Sequence, residues 1–200
     1  MKFRFILWIM LVFAVAFVLL TGEALLNRRK LEEKTLRLHV VANSDSPEDQ
    51  AQKIRVRDHV LQLVAGVTAQ CVNREEAEVA LRPCLKDLEN SVRELLRNEG
   101  STYGVRITLC QEEFTTRDYE TFSLPAGTYH SLRVTIGEGN GKNWWCVVFP
   151  SLCTASTVEQ FTDTARQGGY GEEEIGLIRK QESQYIVQFK LIEFFRELFR

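Results

Sequence analysis

Behind Lys2 and Arg4 the chain opens on an uninterrupted apolar run, Phe5–Leu20. A positive flank before a run with no polar face is the pattern of an export segment; a core helix keeps a polar stripe. The run falls short of the roughly 20 residues that span a bilayer. Thr21, Gly22 and Ala24–Leu26 would extend it, but Glu23 interrupts. No clean small-x-small site follows Leu20, and Gly22 and Ala24 are poor cleavage points. Residues 1–26 are therefore read as a signal peptide or an uncleaved membrane anchor, with both forms open. Arg28, Arg29 and Lys30 rival Lys2 and Arg4, so the flanks do not orient the segment. Either exported form carries residues 31–200 out of the cytoplasm.

Residues 27–34 read as a linker into an α+β domain over 35–153. Leu36, Leu38 and Val40 alternate, which predicts a strand over 36–42. Asn43-Ser44-Asp45-Ser46 follows as a turn. Ser46 as N-cap, Pro47 at the first helical position and Asp49 three residues on then start a helix. Its apolar positions run from Ile54 and Val56 to Val67. Asn73 with Glu76 caps a second helix that Pro83 stops, and Leu85, Leu88, Val92 and Leu95 mark a third to Asn98. Beyond Gly100 the period becomes two. Residues 103–110, 114–123 and 129–136 read as strands, and Gly137-Glu138-Gly139-Asn140-Gly141 as a hairpin loop. Trp144–Phe149, apolar on both faces, reads as a buried central strand. Helices first and strands after give a helical half packed on a mainly antiparallel meander sheet. Residues 154–183, polar and interrupted by Gly168-Gly169-Tyr170-Gly171, read as a flexible loop or insertion. Residues 184–200 read as an amphipathic helix completing the domain.

Composition narrows the function classes. Charged residues are 26% and hydrophobic residues 44%, which excludes a disordered chain. The net charge of −2 offers no basic footprint, so no nucleic-acid partner is expected. Three histidines and five scattered cysteines supply no metal-ligand spacing, and neither metal nor cofactor is expected. Export permits disulfides. Cys146 and Cys153 flank Phe149-Pro150-Ser151, a turn after a strand, and are the disulfide candidates. The other cysteines leave at least one thiol outside any intramolecular pair.

Local chemistry is sparse. Gly137-x-Gly139-x-Gly141-Lys142 superficially suggests a phosphate loop. It lacks the four-residue gap between glycines and the Ser or Thr after Lys, and it lies between strands. A nucleophilic Cys146 would need His39 or His130 as base. Its apolar surroundings argue for an inert thiol. Asp45 is more economically a turn residue, accepting backbone N–H groups at the start of the helix, than half of a catalytic carboxylate pair. No small-molecule substrate is expected.

Several segments resemble one family. Leu38-His39-Val40-Val41-Ala42-Asn43-Ser44-Asp45-Ser46, with Asp49-Gln50 and Val56-Arg57-Asp58, is similar to the opening motif of stage II sporulation protein R. Phe114–Tyr119, Leu124–Tyr129 and Leu132–Val134 resemble its middle segment, and Ile136–Cys153, with Asn143-Trp144-Trp145-Cys146, its long signature. Thr115 and Ser151 depart from it, standing where the family has Pro. The resemblance implies a signal and not an enzyme. Such a protein is made in the forespore and exported into the intermembrane space, secreted or membrane-anchored. There it activates a membrane-embedded aspartic peptidase that cleaves the precursor of sigma factor E. The family carries no catalytic residues to transfer. The residues leave one reading of another class, an exported hydrolase using Cys146 with His39 or His130. For the signalling reading, Gly137, Glu138, Gly139, Asn140, Gly141, Lys142, Asn143 and Trp144 are the candidate contacts. Asn43, Ser44, Asp45, Ser46 and Asp49 form a structural turn and cap beside them.

Overall fold

The three-dimensional structure, a computed structural model, describes residues 2–179. Helix α1 (Lys2–Lys34) leads into strand β1 (Leu36–Val41). Three helices follow, α2 (Pro47–Thr68), α3 (Arg74–Leu81) and α4 (Leu85–Asn98). Next come the long strand β2 (Val105–Phe114), the short pair β3 (Arg117–Asp118) and β4 (Ser123–Leu124), and β5 (Gly127–Ile136). The edge strand β6 (Asn143–Phe149) precedes helices α5 (Val158–Gln167) and α6 (Glu172–Ile178). The α+β class expected from the pattern holds. The expected helix over 184–200 lies outside the described residues.

The sheet is not a meander. Its order is β2-β5-β1-β6, with β1 parallel to β5 and antiparallel to β6. A parallel pair needs a long crossover, and α2–α4 with β2 supply it. Residues 114–123 are not a full strand. β2 ends at Phe114, pairs throughout with β5, and leaves only the two-residue β3–β4 ladder beyond it. Nor is β6 central. Strand β1, buried at every position, takes that place. β6 is apolar on both faces because layers cover both sides of its second half, Cys146–Phe149, a burial pattern that period alone does not separate from a central position.

One core lies between the sheet and the α2–α4 layer. Leu36, Leu38, Val40, Leu132 and Val134 meet Val56, Val60, Leu88, Val92 and Leu96 there. α2 starts as expected, with Ser46 Oγ accepting the Asp49 N–H at 3.1 Å. Asn73 likewise accepts the Glu76 N–H at 2.8 Å to start α3.

A second core fills part of the opposite face and corrects two expectations. Residues 27–34 are no linker: they are the last turns of α1, and Leu31 is fully buried against this core. Of the segment expected as a loop or insertion over 154–183, residues 154–179 are mostly helical and 180–183 lie outside the described residues. Thr157 caps α5 by accepting the Gln160 N–H, and α5 and α6 bury Phe161, Ala165, Ile175 and Ile178 with Phe122, Leu124 and Val147. The polar composition concealed a helical spacing that needs only a few apolar residues per face. α1 runs through the expected export segment. Among the described residues no helix is long and apolar enough to cross a membrane.

Candidate functional site

The glycine loop is not a hairpin, because β5 and β6 are not neighbours. It carries the chain across the carboxyl end of β1, and the Asn43–Asp49 turn leaves the sheet there. The two segments are therefore stitched together. Gly141 N–H donates to Ala42 O at 3.0 Å and Asn140 N–H to Asn43 O at 3.1 Å. Glu138 N–H donates to Asn43 Oδ1 at 3.0 Å, and Lys142 N–H to Asp45 Oδ1 at 2.7 Å. This corrects the expected role of Asp45. It accepts a backbone N–H from across the clamp, 97 residues on, not from the first turn of α2.

Asp49 holds the underside of the clamp. It is almost fully buried and accepts Asn43 Nδ2–H at 2.9 Å and Ser44 Oγ–H at 2.6 Å. The Ser44 hydroxyl bond chiefly holds the Asp49 carboxyl below its usual value, against the opposing effect of burial. Lys53, also buried, donates to Lys142 O at 3.0 Å and Gln50 Oε1 at 2.6 Å. Burial pushes its ammonium pKa down, and Asp45 partly opposes this. Two glycines are required by geometry. Gly137 takes φ +56°, a left-handed conformation. A Cβ on Gly141 would collide with the Ser44 carbonyl oxygen. The outcome is a rigid ridge presenting exposed Glu138, Asn140, Lys142 and Asn143. Trp144 stands at its end, 36% exposed, with the Arg57 guanidinium 4.4 Å above its ring.

The structure does not assemble a nucleophile and base from the residues considered for hydrolysis. Cys146 sits opposite Leu38 on the helix-facing side of the sheet, whereas His39 pairs with Trp145 on the other side. Cys146 and Cys153 have Cα atoms 6.2 Å apart, within the span of a disulfide, and are bridged. His130 lies on β5 at the α3 side of the sheet, bonded to Gln111 through Nε2 at 2.8 Å and to Arg74 through Nδ1 at 3.0 Å.

One cluster escaped the sequence reading. His39 is buried, stacks on Trp145 at 3.8 Å and meets Glu112 through Nδ1 at 3.1 Å. Arg133 donates to the same carboxylate at 2.8 Å. Arg37, fully buried, lies 4.1 Å over the Phe114 ring and donates to Tyr119 Oη at 2.7 Å. The signal was present: Arg37 and His39 occupy the alternate positions of a strand whose other face is Leu, Leu and Val.

Comparison with known proteins decides the relationship. Residues 32–159 match the sequence profile described as stage II sporulation protein R. The chain belongs to that family. The match takes in β1, the clamp, the sheet and the Cys146–Cys153 pair. A curated relative, stage II sporulation protein R of Bacillus subtilis (strain 168), is 33% identical over 123 residues. The aligned stretch covers 62% of this chain and 55% of that protein, so the chain matches about half the length of its relative. No solved structure matches. Membership in this family supports a role in sporulation.

Proposed function

We propose that the chain is an exported sporulation signal that activates a membrane-embedded aspartic peptidase, leading to cleavage of the sigma factor E precursor in the mother cell. The observation that carries the reading is the family match across 32–159, which contains the whole clamp. On this reading the chain acts by binding and not by chemistry. It works in the intermembrane space, brought there by its apolar amino-terminal segment. A ligand switches an enzyme only by preferring its active state. That preference is best served by a surface that does not itself deform, and the ridge at Gly137–Trp144 meets the requirement.

The test replaces Glu138, Asn140 and Lys142 together by Ala. Precursor cleavage is measured with peptidase and precursor co-expressed, beside thermal stability. The backbone bonds of the clamp survive this change, so stability should hold while cleavage falls. Full signalling by the triple variant removes the ridge from the interface.

A further inference from the structure

The cysteines of this chain are not chemically equivalent. Cys71, Cys84 and Cys110 are unbridged. Burial pushes the thiols of Cys71 and Cys110 up, with Glu76 and Glu112 respectively adding to the effect, so both are poor nucleophiles. The two members of the bridge differ from these and from each other. Cys146 belongs to the core between the sheet and the helices and is 4% exposed. Cys153 is half-buried on the short turn Leu152–Thr154 and packs at the margin of both cores. The pair borders an open trough of about 340 Å³ between α2 and the β3–β4 turn, with Leu61, Trp144 and Tyr119 in its walls. Of the two residues, Cys153 presents the larger share of itself to that space.

The backbone adds a second asymmetry. Val147 N–H meets Cys153 Sγ at 3.1 Å. Strand β6 aims that N–H, because Val147 is held in register with Arg37 of β1, so the donor is in place whether or not the bridge is closed. A donor of this kind favours a thiolate over a thiol. Of the charges that line the trough, Arg57 and Asp58 pair with each other at 2.7 Å, and Glu120 is exposed, where solvent screens it. The apolar neighbours of Cys146 disfavour its thiolate. Packing, and not the bridge, brings the two residues together. Leu152 is fully buried in the second core, and Pro150 leaves no room for a Cβ on Gly168 at the end of α5. Ser151 Oγ–H donates to Val148 O at 3.2 Å. These contacts involve neither sulfur, so the reduced chain keeps its two thiols within bridging reach.

We propose that Cys146 and Cys153 form a dithiol–disulfide exchange site in which Cys153 is the reacting sulfur and the co-reactant is a disulfide-bearing oxidant. The Cys153 thiolate attacks one sulfur of the oxidant, a mixed disulfide forms and one oxidant thiolate leaves. Cys146 gives up its proton and attacks Cys153 Sγ; the bridge closes and the second oxidant thiolate leaves. Two electrons pass to the oxidant, and the two protons released by the cysteines go to its thiolates. Reduction runs back along the same path, with an incoming thiolate attacking Cys153 Sγ and Cys146 leaving. Oxidants of this class persist outside the cytoplasm, where the proposed function places the chain. The peptidase takes no part in either step, so the exchange chemistry stands or falls apart from that function.

The experiment reduces the full chain, removes the reductant and applies a short pulse of iodoacetamide under native conditions, with peptide mass spectrometry reading each cysteine. Cys153 should be alkylated at least about tenfold faster than Cys146. Oxidised glutathione then serves as the probe oxidant. Cys146→Ser should accumulate a mixed disulfide with glutathione at Cys153, and Cys153→Ser should accumulate at least about tenfold less of it at Cys146. The unaltered chain should close its bridge and retain no adduct at either position. Alkylation of Cys146 as fast as that of Cys153 overturns the proposal, as does a glutathione adduct forming as readily at Cys146 as at Cys153. A reduced chain that does not close its bridge with oxidised glutathione also overturns it. Where either variant fails to fold, the alkylation pulse on the unaltered chain decides.

Discussion

Removing the Asp49 carboxylate tests whether one buried acid holds the clamp in shape. In Asp49→Ala the Asn43 amide and the Ser44 hydroxyl both lose their acceptor. A hydrogen bond to a charged group contributes about 1.5–3 kcal/mol. Ser44 and Asn43 are half-buried, so water partly replaces each bond and the low end applies. The carboxylate also sits in the first turn of α2, where the helix dipole adds about 0.5 kcal/mol. The expected loss is about 3.5 kcal/mol, or roughly 7–14 °C in Tm for a chain of this size. The pH dependence separates this cause from a packing defect. The folded pKa of Asp49 is depressed below that of an ordinary aspartate, chiefly by the Ser44 hydroxyl. A depressed acid stabilises above its unfolded pKa and stops doing so as pH falls through its folded pKa. The gap between parent and variant should therefore be constant from about pH 5 to 8 and close progressively below about pH 4. Thermal unfolding of both full-length proteins across that range measures it. A Tm loss under about 1 °C, or a gap as wide in strong acid as at neutrality, refutes the account.

Gly141→Ala should detach the glycine loop, because its Cβ meets the Ser44 backbone and not a flexible side chain; a loss of about 1–3 kcal/mol and faster exchange of the Lys142 amide are expected. Replacing Cys146 and Cys153 together by Ser should cost about 2–3 kcal/mol for so short a loop, read by denaturant unfolding in oxidising buffer, and the difference should vanish in reductant. Arg37 keeps Nε and Nη1 without hydrogen-bond partners in a fully buried position. Arg37→Met should therefore cost less than about 1 kcal/mol or stabilise, whereas Arg37→Ala, which leaves a cavity, should cost more than about 2 kcal/mol; equal losses in the two variants would show that the charge itself is required.

Local chemistry in the sequence determined the first strand, the starts of α2 and α3 and the class of the domain. Ser46, Pro47 and Asn73 act within three or four residues of themselves, so their effect is legible along the chain. The Asn43–Asp49 turn and the glycine loop were each visible as segments. Their meeting was not, because it depends on β1 lying between β5 and β6, and a period-two pattern carries no information about which strand lies beside which. The same limit made β6 read as central: covered faces look alike at an edge and in the middle. Asp45 was legible as a turn residue, but its partner is Lys142, and only the crossover of the chain over the end of β1 brings that N–H to it. The second core went unread in 154–179 because a short helix needs few apolar residues when a sheet face supplies the rest of its burial. The capping of outer backbone groups at Val105 and Ile107 of β2 and at Val147 of β6 belongs wholly to the tertiary structure. It depends on Glu89, Arg93 and Cys153 reaching backbone groups that lie elsewhere in the chain, and no local pattern marks a side chain as the cap of a distant strand.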